Sequence, residues 1–293
     1  MATIDASAIQ PGDLMLHRGN GQISALIAWA GDSPFSHAAF VYDEAQVAEA
    51  ATVGVRRMKL ADRVVNTASF SRIDVYRPSA GITTAQLDAI RAVADGYMGT
   101  PYPMNQLVQL AIICAVRDKV PHDEQVRLLL REVTDHLIDN DPHHLVCSEF
   151  VYRAWAEAKL APSIAPRIVV LDWVATPFPP IDWAKLSAEF EEDKKRAEDA
   201  QKAHDAPPAP SVPSPAFGTG VGVTADELRD SHAQLRDALG VPAPRVAPVG
   251  GIRPNAAVAG PVIEPNPNPR AILPADLGNS PDFRLLGTVL SKT

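Results

Sequence analysis

The first 80 residues carry short apolar runs that are separated by turns containing Gly, Asp or Asn. Runs of this length, rich in Val, Ile, Leu and Phe, are typical of β-strands. The pattern predicts strands at residues 14–17, 37–42, 46–50, 53–58 and 73–77. A short helix over residues 23–30, ending at Gly31, is expected between the first two strands.

After these strands the apolar residues recur at the spacing of amphipathic helices. Thr83 and Gln86 have the spacing of a capping box at the start of the first such helix, and Gly99 is its stop signal. The other predicted helices cover residues 105–118 and 123–138, and one more begins at Cys147. A small antiparallel sheet packed against helices is an α+β fold.

Proline content divides the chain into a domain and a tail. Residues 206–293 hold 15 of the 27 prolines and no Cys, Trp or Tyr, so they have little with which to build a core. We therefore predict a largely flexible tail there, with one short helix near 224–239. The charge-rich residues 184–205 are predicted to form a helical spacer. This leaves residues 1–183 as the folded domain, with a helical insertion at 105–140.

Charge and composition narrow the classes of partner. The 27 basic and 35 acidic residues give a net charge of −8, which argues against a nucleic-acid partner. No segment approaches the roughly 18 consecutive apolar residues of a membrane span. The first residues lack a secretory signal, so the sequence predicts a cytoplasmic protein unless a phage particle or secretion system delivers it. In the tail, the segment 283–286 is a candidate docking peptide for a protein partner.

The candidate chemistry centres on a cysteine and a histidine. Cys147 lies at the first turn of a predicted helix, where unpaired N–H groups and the helix dipole favour a thiolate. His37 begins a predicted strand and could carry protons for that thiolate. Cys114, by contrast, falls in the middle of an apolar helix and is interpreted as a small buried residue.

Glu49 is the predicted third member of the site. A tight turn centred on Asp43 would pair Val41 with Ala45, and the same register would place His37 opposite Glu49. Directly opposed residues have Cβ atoms about 4.5–5.5 Å apart, within reach of a hydrogen bond between the two side chains. A slip of one residue would move them to opposite faces of the sheet. The prediction is a catalytic triad of Cys147, His37 and Glu49.

Zinc binding is the competing chemistry. The possible ligands are His136, His143, His144 and Cys147. Their spacing fits no familiar finger or ribbon, and no Cys-x-x-Cys pair is present. The sequence also has no Gly-x-Ser-x-Gly elbow, phosphate-binding Gly-rich loop or His-Glu-x-x-His motif. We therefore expect neither a metal nor a cofactor.

With these residues the chain resembles the permuted NlpC-like branch of the papain-fold superfamily, the YiiX and YaeF type, over roughly residues 10–175. In that branch the histidine strand precedes both a Gly-x-Pro-Tyr segment and the cysteine helix. Here His37 precedes the Gly-Thr-Pro-Tyr segment at 99–102, and Cys147 follows it. The resemblance implies a circularly permuted papain-like fold with Cys147 as nucleophile, His37 as base, Glu49 as orienting residue and Tyr102 in substrate binding.

The resemblance also implies an activity, for which alternatives stay open. The leading expectation is a cysteine hydrolase that cleaves an amide bond in cell-wall-type peptides through a thioester. Acyltransferases of the lecithin:retinol type share the layout but have a second histidine in place of Glu49, so an acyltransferase or lipid and ester hydrolase is the runner-up. Pro103 stands where many NlpC-like peptidases begin a Gly-Gly pair. A third alternative is a non-catalytic module that binds a partner through its Pro-rich tail.

Overall fold

The computed structural model describes residues 2–31, 33–102, 145–160, 162–170, 182–203, 262–263, 267, 269 and 272–291. Several predicted features lie outside these residues. They are the helical insertion at 105–140, the short helix near 224–239, Cys114 and the three histidines of the alternative zinc site.

The described residues contain the five predicted strands of the first 80 residues and the predicted helices that start at residues 22–23, 84 and 147, together with further elements that the sequence pattern did not predict. The strands are β1 (Leu14–Gly19), β2 (His37–Val41), β3 (Gln46–Ala51), β4 (Gly54–Lys59), β5 (Phe70–Pro78), β6 (Val169–Val170), β7 (Val262–Ile263) and β8 (Phe283–Ser291). The helices are α1 (Gln22–Ala30), α2 (Leu60–Val64), α3 (Thr84–Gly96), α4 (Cys147–Ala156), α5 (Trp183–Ala203) and α6 (Pro274–Asn279), after a 3-10 turn at Ala6–Ala8.

Six of the strands make one antiparallel sheet, in the order β4-β3-β2-β1-β5-β8. Helices α3 and α4 pack beside it, so the predicted α+β class is confirmed. The predicted capping box starts α3: Gln86 N–H donates to Thr83 Oγ1 (3.2 Å), and Thr83 N–H donates to Gln86 Oε1 (2.8 Å). None of the helices in the described segments is both long and apolar enough to cross a membrane.

The main core lies between the sheet and α4. Phe40 of β2 is fully buried, and the Trp155 ring of α4 meets it edge-on with centroids 4.9 Å apart. Phe150 of the same helix is also fully buried, with its ring centroid 5.9 Å from that of Phe40. Burial of each such side chain is worth about 1.5–3 kcal/mol. This packing fixes α4, and with it Cys147, against β2.

The end of the chain corrects the predicted tail. Strand β8 pairs with β5 along the sheet edge, and its first residue, Phe283, is buried with its ring 6.0 Å from the Trp155 ring. The segment 283–286 is therefore part of the sheet rather than a free docking peptide. Residues 272–291 contain enough apolar side chains for a helix and a strand, but averaging over 88 mostly proline-rich residues concealed them.

The helix α5, predicted as a spacer, also contacts α1. Its Glu189 Oε2 accepts hydrogen bonds from Gln22 N–H (2.7 Å) and Ile23 N–H (3.3 Å) in the first turn of α1. The N-cap residue of α1 is Gly21, which has no side chain to offer as a cap. A carboxylate from another helix therefore satisfies these free backbone donors, and it holds α5 against α1.

Candidate active site

Cys147 is the first residue of α4, as the sequence predicts. The N-cap is Val146, which gives no side-chain cap, and the first helical hydrogen bond runs from Phe150 N–H to the Val146 carbonyl (2.9 Å). The N–H of Ser148 instead donates to the Cys147 sulfur. The thiol is free and only 4% exposed. The helix start thus offers backbone donors to a sulfur that is screened from water.

A second backbone donor reaches the sulfur from β2. The β2–β3 pairing has two residue pairs, Phe40↔Ala48 and Val41↔Val47. Beyond them the N–H of Ala38 donates to the Cys147 sulfur. Alternate residues of β2 point their N–H groups toward β3, as Tyr42 does to the Gln46 carbonyl (2.9 Å). Ala38 belongs to that series, and its N–H donates to the sulfur.

His37 joins the cysteine to a carboxylate. Its Nε2 lies 2.7 Å from Glu49 Oε2. The His37 side chain also hydrogen-bonds Cys147. Because Glu49 occupies Nε2, the nitrogen that faces the sulfur is Nδ1. Burial alone would lower the pKa of His37, but the charge of Cys147 and hydrogen bonds to Cys147 and Glu49 raise it to about 9. Burial would raise the pKa of Cys147, but the His37 charge and hydrogen bonds lower it. The arrangement favours a thiolate–imidazolium ion pair.

The contact between His37 and Glu49 arises from a register other than the predicted one. Val41 lies opposite Val47, not Ala45, because the turn is centred on Glu44. Continuing this register places Glu49 diagonal to His37 instead of directly opposite. The predicted pairing was therefore wrong by two residues. A two-residue shift keeps both side chains on one face of the sheet, and a glutamate is long enough to span the diagonal.

Glu49 is fully buried and has two arginine partners as well as His37. Arg56 donates to Oε1 through Nε (3.0 Å) and Nη2 (2.9 Å), and Arg63 Nη2 donates to Oε2. Burial would raise the pKa of Glu49, but the His37 hydrogen bond and the charges of His37, Arg63 and Arg56 hold it well below its ordinary value. The carboxylate is therefore ionised and has defined partners on both oxygens.

A second histidine at the site was missed by the sequence analysis. His17 of β1 lies directly opposite His37 in the β1–β2 register, with ring centroids 5.1 Å apart. It is fully buried, and neither ring nitrogen has a hydrogen-bond partner within normal geometry. Burial, followed by the charges of His37 and Arg63, lowers the pKa of His17 well below its ordinary value. His17 is therefore neutral.

The two arginines were also missed, although one left a signal. Arg56 lies directly opposite Glu49 in the β3–β4 register, and that hairpin closes through the pair Ala51↔Gly54. Opposite charges at paired positions around a two-residue turn were visible in the sequence. Arg63 lies on α2, after the sheet strand has ended, and no local spacing points it at Glu49.

Tyr102, the predicted substrate-binding residue, lies near the sulfur. Its ring is partly buried against the main core. Burial and then the charges of Cys147 and Asp193 raise the pKa of Tyr102 well above its ordinary value. Asp193 belongs to α5, so that helix contributes a carboxylate to the surroundings of the site. Across the described part of the chain, no group of three or more His, Cys, Asp and Glu side chains could hold a metal ion.

Comparison with known proteins adds little to this geometry. No protein-family model matches the chain, and no curated protein matches it. Among solved structures, the chain is similar to the metalloprotein yiiX from Escherichia coli O157:H7, with 17% identity and a TM-score of 0.38 over 64% of this chain and 84% of that one. A TM-score of 0.38 is too low to support any inference about fold or function. The interpretation of the site therefore depends on its own residues.

Proposed function

We propose that the chain is a cysteine-dependent hydrolase that cleaves an amide bond through a thioester intermediate. The observation that carries this proposal is the buried line Cys147–His37–Glu49, with two backbone N–H groups on the sulfur. Thiol catalysis needs an ionised sulfur, an imidazole that carries protons and a polar group that fixes the imidazole. Each need corresponds to one of these three side chains.

The proposed reaction begins when the Cys147 thiolate attacks the carbonyl carbon and forms a C–S bond. The C=O electron pair moves to oxygen, where the backbone N–H of Cys147 at the free helix start can stabilise the negative charge. The C–N bond then breaks as His37 gives its proton to the departing amine. Water attacks the thioester while His37 removes its proton, the C–S bond breaks, and a carboxylic acid and the thiolate are released.

The substrate class that we propose is a small peptide of the cell-wall kind. The chain order, with the His37 strand before Tyr102 and the Cys147 helix, is that of the permuted NlpC-like type with a papain-like fold. Glu49 in third position favours the YiiX-like side of that group over the acyltransferases. Tyr102, close to the sulfur, is the proposed wall of the substrate cleft.

Selective alkylation tests the proposed nucleophile. Iodoacetamide at neutral pH should modify Cys147 in the wild-type protein, with peptide mass spectrometry distinguishing it from Cys114. The variant His37→Ala should slow the modification of Cys147 because the thiol loses its ion-pair partner. Equal inertness of both cysteines in the folded wild-type protein would contradict the proposal.

Defined substrates separate the alternatives. Wall peptides and short-chain acyl esters should be compared on the wild-type protein and on Cys147→Ala; faster turnover of esters would favour the acyl-transfer alternative. A binding module would keep its function in Cys147→Ala. The tail should be tested by an internal deletion within residues 206–258, because cutting the chain at 205 would also remove β8 from the sheet.

A further inference from the structure

Glu49 is held by arginines from two different elements, and each arginine takes a different oxygen. Arg56 comes from β4 and donates two hydrogen bonds to Oε1. Arg63 comes from α2 and contacts Oε2, the oxygen that also faces His37. A carboxylate bound on both oxygens from two directions cannot rotate freely.

Arg63 is unusual because it is a buried arginine. Its side chain is 3% exposed, against 45% for Arg56, and the anion that it contacts is Glu49. Its guanidinium lies 4.8 Å from the centre of the Phe70 ring, and that ring stacks on His37 with centroids 6.0 Å apart and planes at 23°. The contacts therefore form a closed cycle that runs from Arg63 to Glu49, to His37, to Phe70 and back to Arg63.

We propose that Arg63, assisted by Arg56, is a positioning residue that fixes Glu49 and thereby directs the free ring nitrogen of His37 at Cys147. Arg63 acts on both sides of the imidazole, through the carboxylate on Nε2 and through the Phe70 ring on its face. The inference rests on the proposed function, since it assigns a role within the Cys147–His37 pair. Neither arginine touches the reacting atoms.

The positive charges of Arg56 and Arg63 have a second effect on the site. Glu49 alone would bind the imidazolium proton strongly and oppose its transfer to a leaving group. Two arginine cations on the same carboxylate offset that attraction, and they also favour the thiolate. Removal of a cation here should therefore raise the pKa of Cys147.

The other ionisable groups around the site are accounted for. His17 faces His37 from β1 and is neutral. The charges of Cys147 and of Asp193 on α5 both act on Tyr102 and raise its pKa. Within the described residues, Arg56 and Arg63 are the cations whose hydrogen bonds to Glu49 link them to His37.

The test is the pH dependence of Cys147 alkylation by iodoacetamide, followed on the Cys147 peptide by mass spectrometry. The variant Arg63→Met should move the midpoint upward by about one pH unit, which is a roughly tenfold lower rate on the acid side. Arg56→Met should move it in the same direction by about 0.3–0.5 units, since this side chain is half exposed. In a Glu49→Gln background the Arg56→Met shift should shrink, because the part that acts through the carboxylate is lost and only the direct effect of the arginine charge on the thiolate remains.

Arg77→Met is the matched control. Arg77 also binds a buried carboxylate, Asp13, through two hydrogen bonds of 2.8 Å, but away from the thiol. It should lower stability without moving the midpoint. If Arg63→Met does not fold, the difference in midpoint between Arg56→Met and the wild-type protein decides whether the arginines act on Cys147. A wild-type midpoint at the ordinary thiol value would overturn both this inference and the proposed function; a low midpoint that no arginine variant moves would overturn this inference alone.

Discussion

Two neighbouring positions of the sheet, His17 on β1 and His37 on β2, hold the same side chain in two different chemical states. The two residues are direct cross-strand neighbours, with ring centroids 5.1 Å apart. The pKa of His17 lies well below its ordinary value, whereas that of His37 is raised to about 9. Residue type and sequence context therefore do not decide the charge of a histidine here.

The partners of each ring explain the difference. The His17 ring packs beside the rings of His37 and Phe70, and neither of its nitrogens has a hydrogen-bond partner in normal geometry. His37 has a carboxylate at one nitrogen and a thiol at the other. Desolvation acts against the charged form of both rings, and anionic partners outweigh it for His37 alone.

Removing His37 should have the largest effect on function. His37→Ala should lower the rate of amide hydrolysis by about 10²–10⁴, the range typical of a lost general acid–base. Single-turnover kinetics with a wall peptide would measure it. The matched variant is His17→Phe at the neighbouring position, which should keep the rate within about threefold of wild type. Similar losses in both variants would break the distinction between the two histidines.

Neutralising Glu49 should cost stability as well as activity. Glu49→Gln leaves the Arg63 guanidinium buried without a counter-ion, and uncompensated buried charges typically cost about 3–5 kcal/mol. Urea unfolding at pH 7.5 would measure the loss. The double variant Glu49→Gln with Arg63→Met should recover most of it, because no unpaired charge is then buried.

An exposed ion pair serves as the control for that stability loss. Asp88 pairs with Arg91 on α3 and is 62% exposed. Asp88→Asn should change the free energy of unfolding by less than about 0.5 kcal/mol. A Glu49→Gln variant as stable as Asp88→Asn would show that Arg63 does not depend on Glu49.

Activity should depend on pH through His37 and Cys147, not through His17. The protonated imidazole that serves the leaving group is lost as pH rises through about 9, so the rate should fall there. His37 and the hydrogen bonds to the sulfur lower the pKa of Cys147, so the acid limb should lie below the range of an ordinary thiol. A rate profile from pH 4 to 10.5 reports the two limbs as properties of the pair. An alkaline limb near 6.5 would mean an ordinary histidine.

The same pair should leave stability flat near neutral pH. As a thiolate–imidazolium ion pair it holds one proton there, on the imidazole. The unfolded chain also holds one, on the thiol. Because folded and unfolded states bind equal numbers of protons, the pair adds no slope to the free energy of unfolding there.

Local features of the fold and site were predictable from the sequence, and long-range ones were not. The capping box at Thr83 and the helix start at Cys147 depend on residues within one turn. The contact between His37 and Glu49 depends on a short hairpin, where an error of two residues still preserves the face. By contrast, His17 and His37 are joined through a connection that contains α1, so no turn fixed their register.

The C-terminal strand shows the same limit on the scale of the whole chain. Strand β8 returns to β5 from more than 200 residues away, and nothing local marks it as the missing sheet edge. The segment just before α6 also supports the site, because Ser148, next to the nucleophile, donates from Oγ to the Ile272 carbonyl (2.5 Å). Because proline dominates the average composition of residues 206–293, that average concealed the strand and the contact with Ser148.

The smallest expected effect, and the sharpest test of the contrast, is on stability at His17. His17→Phe keeps an aromatic ring beside those of His37 and Phe70 and removes two buried nitrogens without partners, which should stabilise the fold by about 1 kcal/mol at pH 7.5. The pKa of His17 is lowered on folding, so the wild-type protein loses stability as pH falls below about 6.5, where the unfolded ring gains a proton. The advantage of His17→Phe should therefore widen by roughly 1 kcal/mol between pH 7.5 and pH 5.5 in urea unfolding. A constant difference across that range would mean that His17 is protonated in the folded protein, and the contrast between the two histidines would be lost.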